Sequence, residues 1–106
     1  KDKKMLNYKY VPNPKPGDLL GYSSNNQINP GIIVGFSKTG NIQILFLVKH
    51  LVDRYKQGKP TDKKGYWYSP VKTVAKNHLS RVILIDKVCL DTTELALYNS
   101  LVNPQP

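Results

Sequence analysis

Cysteine, histidine, arginine and acidic residues are all scarce in this 106-residue chain. The single cysteine, Cys89, excludes an internal disulfide framework and fits a reducing compartment. With two histidines, His50 and His78, there is no CxxC or HxxxH pair, so the roughly four closely spaced ligands of a zinc site are missing. Seven Asp and Glu, scattered along the chain, give a two-carboxylate hydrolase or a magnesium site little to build with. A Cys89–His pair is formally available for nucleophilic chemistry, but no local signature surrounds it. Cys89 reads instead as a buried structural residue at the end of a strand. Gly31-Ile32-Ile33-Val34-Gly35 lacks both the Walker lysine and the dinucleotide glycine spacing, so it is no phosphate loop. No apolar run approaches the ~18 residues of a membrane span, and no signal-peptide core is present. The expectation is a non-enzymatic protein with no cofactor and no membrane partner, in the cytoplasm of a bacterial or phage-infected cell.

What the chain does hold is lysine. Fourteen of its 16 basic residues are Lys, and the formal net charge is +9. Nine Asn accompany them, and Lys, Asn, Ile and Tyr all use A/T-rich codons, so part of the bias fits an AT-rich genome. Lys1 in first place fits a chain that is processed, cut or natively longer, with Met5 either internal or an original start. The excess charge is local: residues 1–16 carry +4, residues 17–48 carry 0, residues 49–76 carry +6 and residues 77–106 carry −1.

Residues 1–16 read as a basic arm, with Pro12, Pro14 and Pro16 at alternate positions forbidding a helix and favouring extended backbone. Tyr8, Tyr10 and Val11 are there to pin it to a surface; otherwise it is flexible. Residues 17–106 read as one domain. A Pro16-Gly17-Asp18 turn opens a first strand at Leu19-Leu20-Gly21-Tyr22. Residues 23–27 are polar and turn-rich, and Pro30-Gly31 punctuates their end. Ile32, Val34 and Phe36, then Ile42, Ile44, Phe46 and Val48, alternate at period two across Lys38-Thr39-Gly40-Asn41, which predicts a hairpin with Gly40 left-handed. The stretch 48–56 fits both templates: Val48, Leu51, Val52 and Tyr55 have helical spacing, while Phe46, Val48, His50 and Val52 continue the strand. Continued strand is the favoured reading, with a loop over 56–65. Residues 66–74 predict a strand that Pro70 confines to an edge or a bulge. Residues 77–80 predict a tight turn and 81–85 a strand. Asp91 and Glu94 form a capping-box pair before a helix at about 92–102, whose Leu97, Tyr98 and Leu101 share one face.

Five short strands in about 70 residues point to a mainly β fold, a small barrel or curled sheet rather than a sandwich. The succession Pro16-Gly17-Asp18-Leu19-Leu20, Gly31-Ile32-Ile33-Val34-Gly35, Gly40-Asn41-Ile42-Gln43-Ile44 and Leu79-Ser80-Arg81-Val82-Ile83 resembles small SH3-like barrels of the KOW, Tudor and ribosomal-protein kind, over about residues 15–86. The resemblance implies a five-stranded SH3-like barrel; the extended N-terminal arm and C-terminal α-helix are additions to it. The Lys/Asn-rich style is also similar to that of small tailed-phage proteins.

The segment of highest charge is also aromatic. Lys49, Arg54, Lys56, Lys59, Lys63, Lys64 and Lys72, with Tyr66 and Tyr68, form the expected binding patch. Clustered lysines attract phosphate as point charges, and bases stack on aromatic faces. Strand alternation puts Tyr66 and Tyr68 on one face and Trp67 on the other, where Trp67 reads as core. With so little Arg, base-specific readout is not expected. The expected partner is the phosphate backbone of DNA or RNA, bound without strong sequence preference. The alternative is a protein-interaction module or accessory subunit of a larger assembly, docking through residues 1–16 or the C-terminal helix.

Overall fold

The computed structural model describes residues 6–7, 15–58 and 69–102. Within them the protein is mainly β, with a helix at its C-terminal end. The strands are β1 (Leu6–Asn7), β2 (Leu19–Ser24), β3 (Gln27–Phe36), β4 (Ile42–Phe46), β5 (Val71–Thr73) and β6 (Val82–Leu84). They form one antiparallel sheet in the order β1-β6-β2-β3-β4-β5. Helix α1 (Lys49–Gln57) follows β4, and α2 (Thr92–Val102) closes the described chain. The two-residue β1 belongs to the segment read as an arm. It pairs Leu6 with Leu84 and Asn7 with Ile83, so that part of the arm is joined to the sheet.

Turn chemistry explains the first hairpins. Asn25 and Asn26 have φ of 50° and 61°, both left-handed, in a two-residue turn between Ser24 and Gln27. Such doubly left-handed turns match the twist of the flanking strands, and Asn tolerates that conformation better than most residues. The 37–41 turn has Gly40 at φ 85°, as its sequence predicts. There the Gly40 N–H donates to the Ser37 carbonyl at 2.9 Å and the Asn41 N–H to Ser37 Oγ at 3.1 Å.

Two expectations about this region need correction. Pro30 and Gly31 do not end a loop; they lie inside β3, opposite Gly21 and Leu20. Proline is tolerated because β4 pairs with β3 only as far as Gly31↔Phe46, so the missing N–H falls at the end of that ladder. A β-bulge between Ile33 and Gly35 also breaks the simple alternation, and Phe36 ends opposite Ile42.

The stretch 48–56 is helical, not strand. Extending β4 would place its next residues beside Pro30, which has no N–H to donate; instead the Leu47 N–H donates to the Pro30 carbonyl at 3.0 Å and the chain turns. Leu51 and Val52 N–H groups then both donate to the Val48 carbonyl. Gly58, at φ 67° and ψ 31°, ends α1 with its N–H on the carbonyls of Arg54 and Tyr55. Lys49 bridges Asp53 one turn on at 2.9 Å.

Both faces of the sheet are apolar. One carries Leu20, Tyr22, Ile33, Ile42, Ile44, Val74 and Val82, all buried. The other carries Leu19, Ile32 and Leu45, with Leu47 and Ile85 just past the strand ends, covered by Leu51 and Val52 of α1 and by Leu97, Tyr98, Leu101 and Val102 of α2. The α2 expectation therefore holds, residue for residue. Its capping box is reciprocal: the Glu94 N–H donates to Asp91 Oδ1 at 2.7 Å and the Asp91 N–H to Glu94 Oε1 at 3.0 Å. β5 lies at the end of the sheet order, as Pro70 implies. The expected turn at 77–80 is a six-residue 3-10 helix, Lys76–Arg81.

Candidate nucleic-acid interface

Four of the nine residues expected to bind nucleic acid can be placed: Lys49, Arg54 and Lys56 on α1, and Lys72 on β5. Lys59, Lys63, Lys64, Tyr66 and Tyr68, with Trp67, lie outside the described residues. The four do not share one face. α1 packs its Val52 on the sheet face that holds Ile32 and Leu45. Lys72 pairs with Ile44, whose side chain belongs to the opposite face, and its Nζ stands 5.4 Å from the centre of the Tyr22 ring. The strand reading of 48–56 hid this division, because it left out the helix that carries Lys49, Arg54 and Lys56 over one face of the sheet.

On α1, Lys49, His50 and Lys56 are exposed and Arg54 is half-buried. Against Asp53, the helix carries a net +2. Lys49 is engaged by Asp53, an exposed pair of little energetic weight. Lys56 Nζ donates to Ser100 Oγ of α2 at 2.8 Å, and that hydroxyl donates to the Leu97 carbonyl at 2.7 Å. A basic residue of the first helix is thereby tied to the second.

Between the helices lies a cleft that the sequence did not announce. It encloses about 530 Å³ and is lined by Tyr55 of α1, by Tyr98, Leu101 and Val102 of α2, by Ile32 and Val34 of β3, and by the Lys15–Asp18 turn. The signal for it was the helical spacing of Val48, Leu51, Val52 and Tyr55, since it is as part of α1 that Tyr55 lines the cleft beside α2. Tyr55 is 40% exposed. Tyr98 also walls a second cavity of about 310 Å³, where Lys87 Nζ stands 5.7 Å from its ring centre.

Cys89 is exposed, which corrects the expectation of a buried cysteine. It follows β6 by several residues, in a 3-10 turn (Lys87–Cys89) that Asp86 caps. Among the described residues, no three His, Cys, Asp or Glu side chains come together as metal ligands. Nor is any described helix long and apolar enough to cross a membrane. Known family patterns, curated protein sequences and solved structures give no significant match to this chain.

Proposed function

We propose that this protein is a non-enzymatic, largely sequence-tolerant nucleic-acid-binding module built on a small SH3-like barrel. The observation that carries the reading is the concentration of charge: +6 within residues 49–76, in a segment that also holds four aromatic residues. α1, which opens that segment, supports it by presenting Lys49, His50 and Lys56 to solvent. Phosphate neutralisation by lysine needs no fixed fork geometry, so a mobile ammonium suffices.

The barrel is supported by the first apolar cluster. Among the described residues, its members come from β6, β2, β3 and β4 and from Val74 just after β5, with Leu79 added from outside the sheet. A flat sheet has no means of burying that face without a second layer, whereas a curled one buries it on itself.

Fluorescence anisotropy with labelled duplex DNA, single-stranded DNA and RNA at two salt concentrations tests the reading. If about five phosphates are neutralised, log K falls with log salt at a slope near −4.5 for duplex DNA. No binding to any of the three at low salt overturns it. Capture of a protein partner after nuclease treatment, with no nucleic-acid binding, favours the interaction module instead.

A further inference from the structure

We infer that the cleft between α1 and α2 receives an unpaired base, which makes single-stranded nucleic acid the preferred partner. The inference rests on the nucleic-acid reading above and adds a second contact to the lysine segment. Its volume, about 530 Å³, falls within the range of small-molecule sites, and its lining combines apolar side chains with the polar Lys15–Asp18 turn. Ile32, Val34, Leu101 and Val102 give it an apolar lining, and Tyr55 and Tyr98 bring two aromatic rings from different helices. Rings of this kind are what a base stacks on, whatever its sequence. Tyr98 already holds one cation near its ring, Lys87, on the side of the neighbouring cavity.

Charge is distributed to suit such a ligand. Inside the cleft, Lys15 and Asp18 cancel, so the lining itself is nearly neutral and does not compete for phosphate. The free excess sits on the rim. Lys56, next to Tyr55 in sequence, is held against Ser100 across the gap between the helices. Base inside and phosphates on the rim is the division of labour that single-strand binders use. A base in a duplex is stacked on both faces and paired along one edge, and cannot enter without first being extruded, at a cost of a few kcal/mol.

The test uses the whole chain and three labelled probes of equal length: dT15, rU15 and a 15-base-pair duplex. The expected result is that dT15 or rU15 binds at least about tenfold more tightly than the duplex at the same salt. Tyr55→Ala then weakens the single strand by about five-fold to 150-fold. Duplex binding stays within about twofold, and Tyr55→Phe, which keeps the ring, restores the single strand. Amide NMR shifts on adding dT15 fall on residues 32–34 and 98–102. If both single strands bind but Tyr55→Ala leaves them unchanged, or the shifts avoid those residues, the cleft is not the base site while the nucleic-acid reading stands. If no probe binds, both fall together.

Discussion

Gly31 offers the sharpest test of how tightly β3 and β4 meet. A methyl group built there lies 2.6 Å from Ile44 Cγ2, 2.9 Å from the Leu45 carbonyl oxygen and 3.3 Å from Phe46 Cα. Ile44 and Leu45 are almost wholly buried, and the nearest polar neighbour is backbone, which has nowhere to go. Gly31→Ala therefore forces the strands apart, at about 1–3 kcal/mol by the usual cost of overpacking. For a domain near 100 residues that lowers Tm by about 4 °C at the least and by more than 10 °C at the upper end. Gly35, four residues along the same strand, is the internal control. A Cβ there meets only Gln43 Oε1 at 3.3 Å, the far end of a flexible side chain. Gly35→Ala is expected within about 1 kcal/mol of the parent, helped by the lower entropy of the unfolded chain. Urea unfolding followed by far-UV circular dichroism measures both. Equal effects of the two substitutions, or a Gly31→Ala change below about 0.5 kcal/mol, refute the close approach.

Three further outcomes follow from particular contacts. Asp91→Ala removes one side of the reciprocal cap on α2 and is expected to cost about 1 kcal/mol in the same unfolding assay; no loss means the cap is not formed in solution. Asn26→Val places a β-branched residue at φ 61° and is expected to cost about 1–2 kcal/mol, whereas Asn26→Gly is neutral or stabilising, so the reverse order of the two Tm values contradicts the turn. Lys72→Ala removes a cation from the Tyr22 ring and is expected to cost about 0.5–1 kcal/mol, a loss that Lys72→Arg recovers but Lys72→Met does not.

Where a local rule decides the structure, the sequence was legible. Gly40 between two alternating runs, and Asp91 three residues before Glu94, each specify a backbone geometry through their own side chains or lack of one. What the sequence hid depends on partners far along the chain. Helix α1 wins over strand because β3 offers Pro30 where β4 would continue, a fact invisible within 48–56. Gly58, which ends the helix, and the Lys49–Asp53 spacing were signals in favour of it. The bulge at Ile33/Gly35 likewise shifts Phe36 across the sheet without any mark in the period-two pattern. The candidate site suffered most, since a linear run of lysines and aromatics carries no record of which sheet face each residue joins. The α1–α2 cleft, built from residues 15–18, 32–34, 55, 98, 101 and 102, exists only after folding.

The position of β6 between β1 and β2 sets an order for assembly. The β2–β3–β4 meander closes through a two-residue turn and the 37–41 turn, both cheap in chain entropy. β6 must instead find β2, pairing Gly21 with Ile83. Lengthening the closed loop from about four residues to about 60 is roughly four doublings, or about 2.4 kcal/mol of added closure entropy. The meander is thus expected to form first, with β6 and the docking of α2 following. Stopped-flow kinetics can read this residue by residue: Ile33→Val should slow folding, while Val82→Ala should mainly speed unfolding. A Val82→Ala variant that slows folding as much as it destabilises would place β6 in the nucleus instead. On the expected order, a nascent chain holds its first three long strands together well before the ribosome has made the strand that fixes them to the rest.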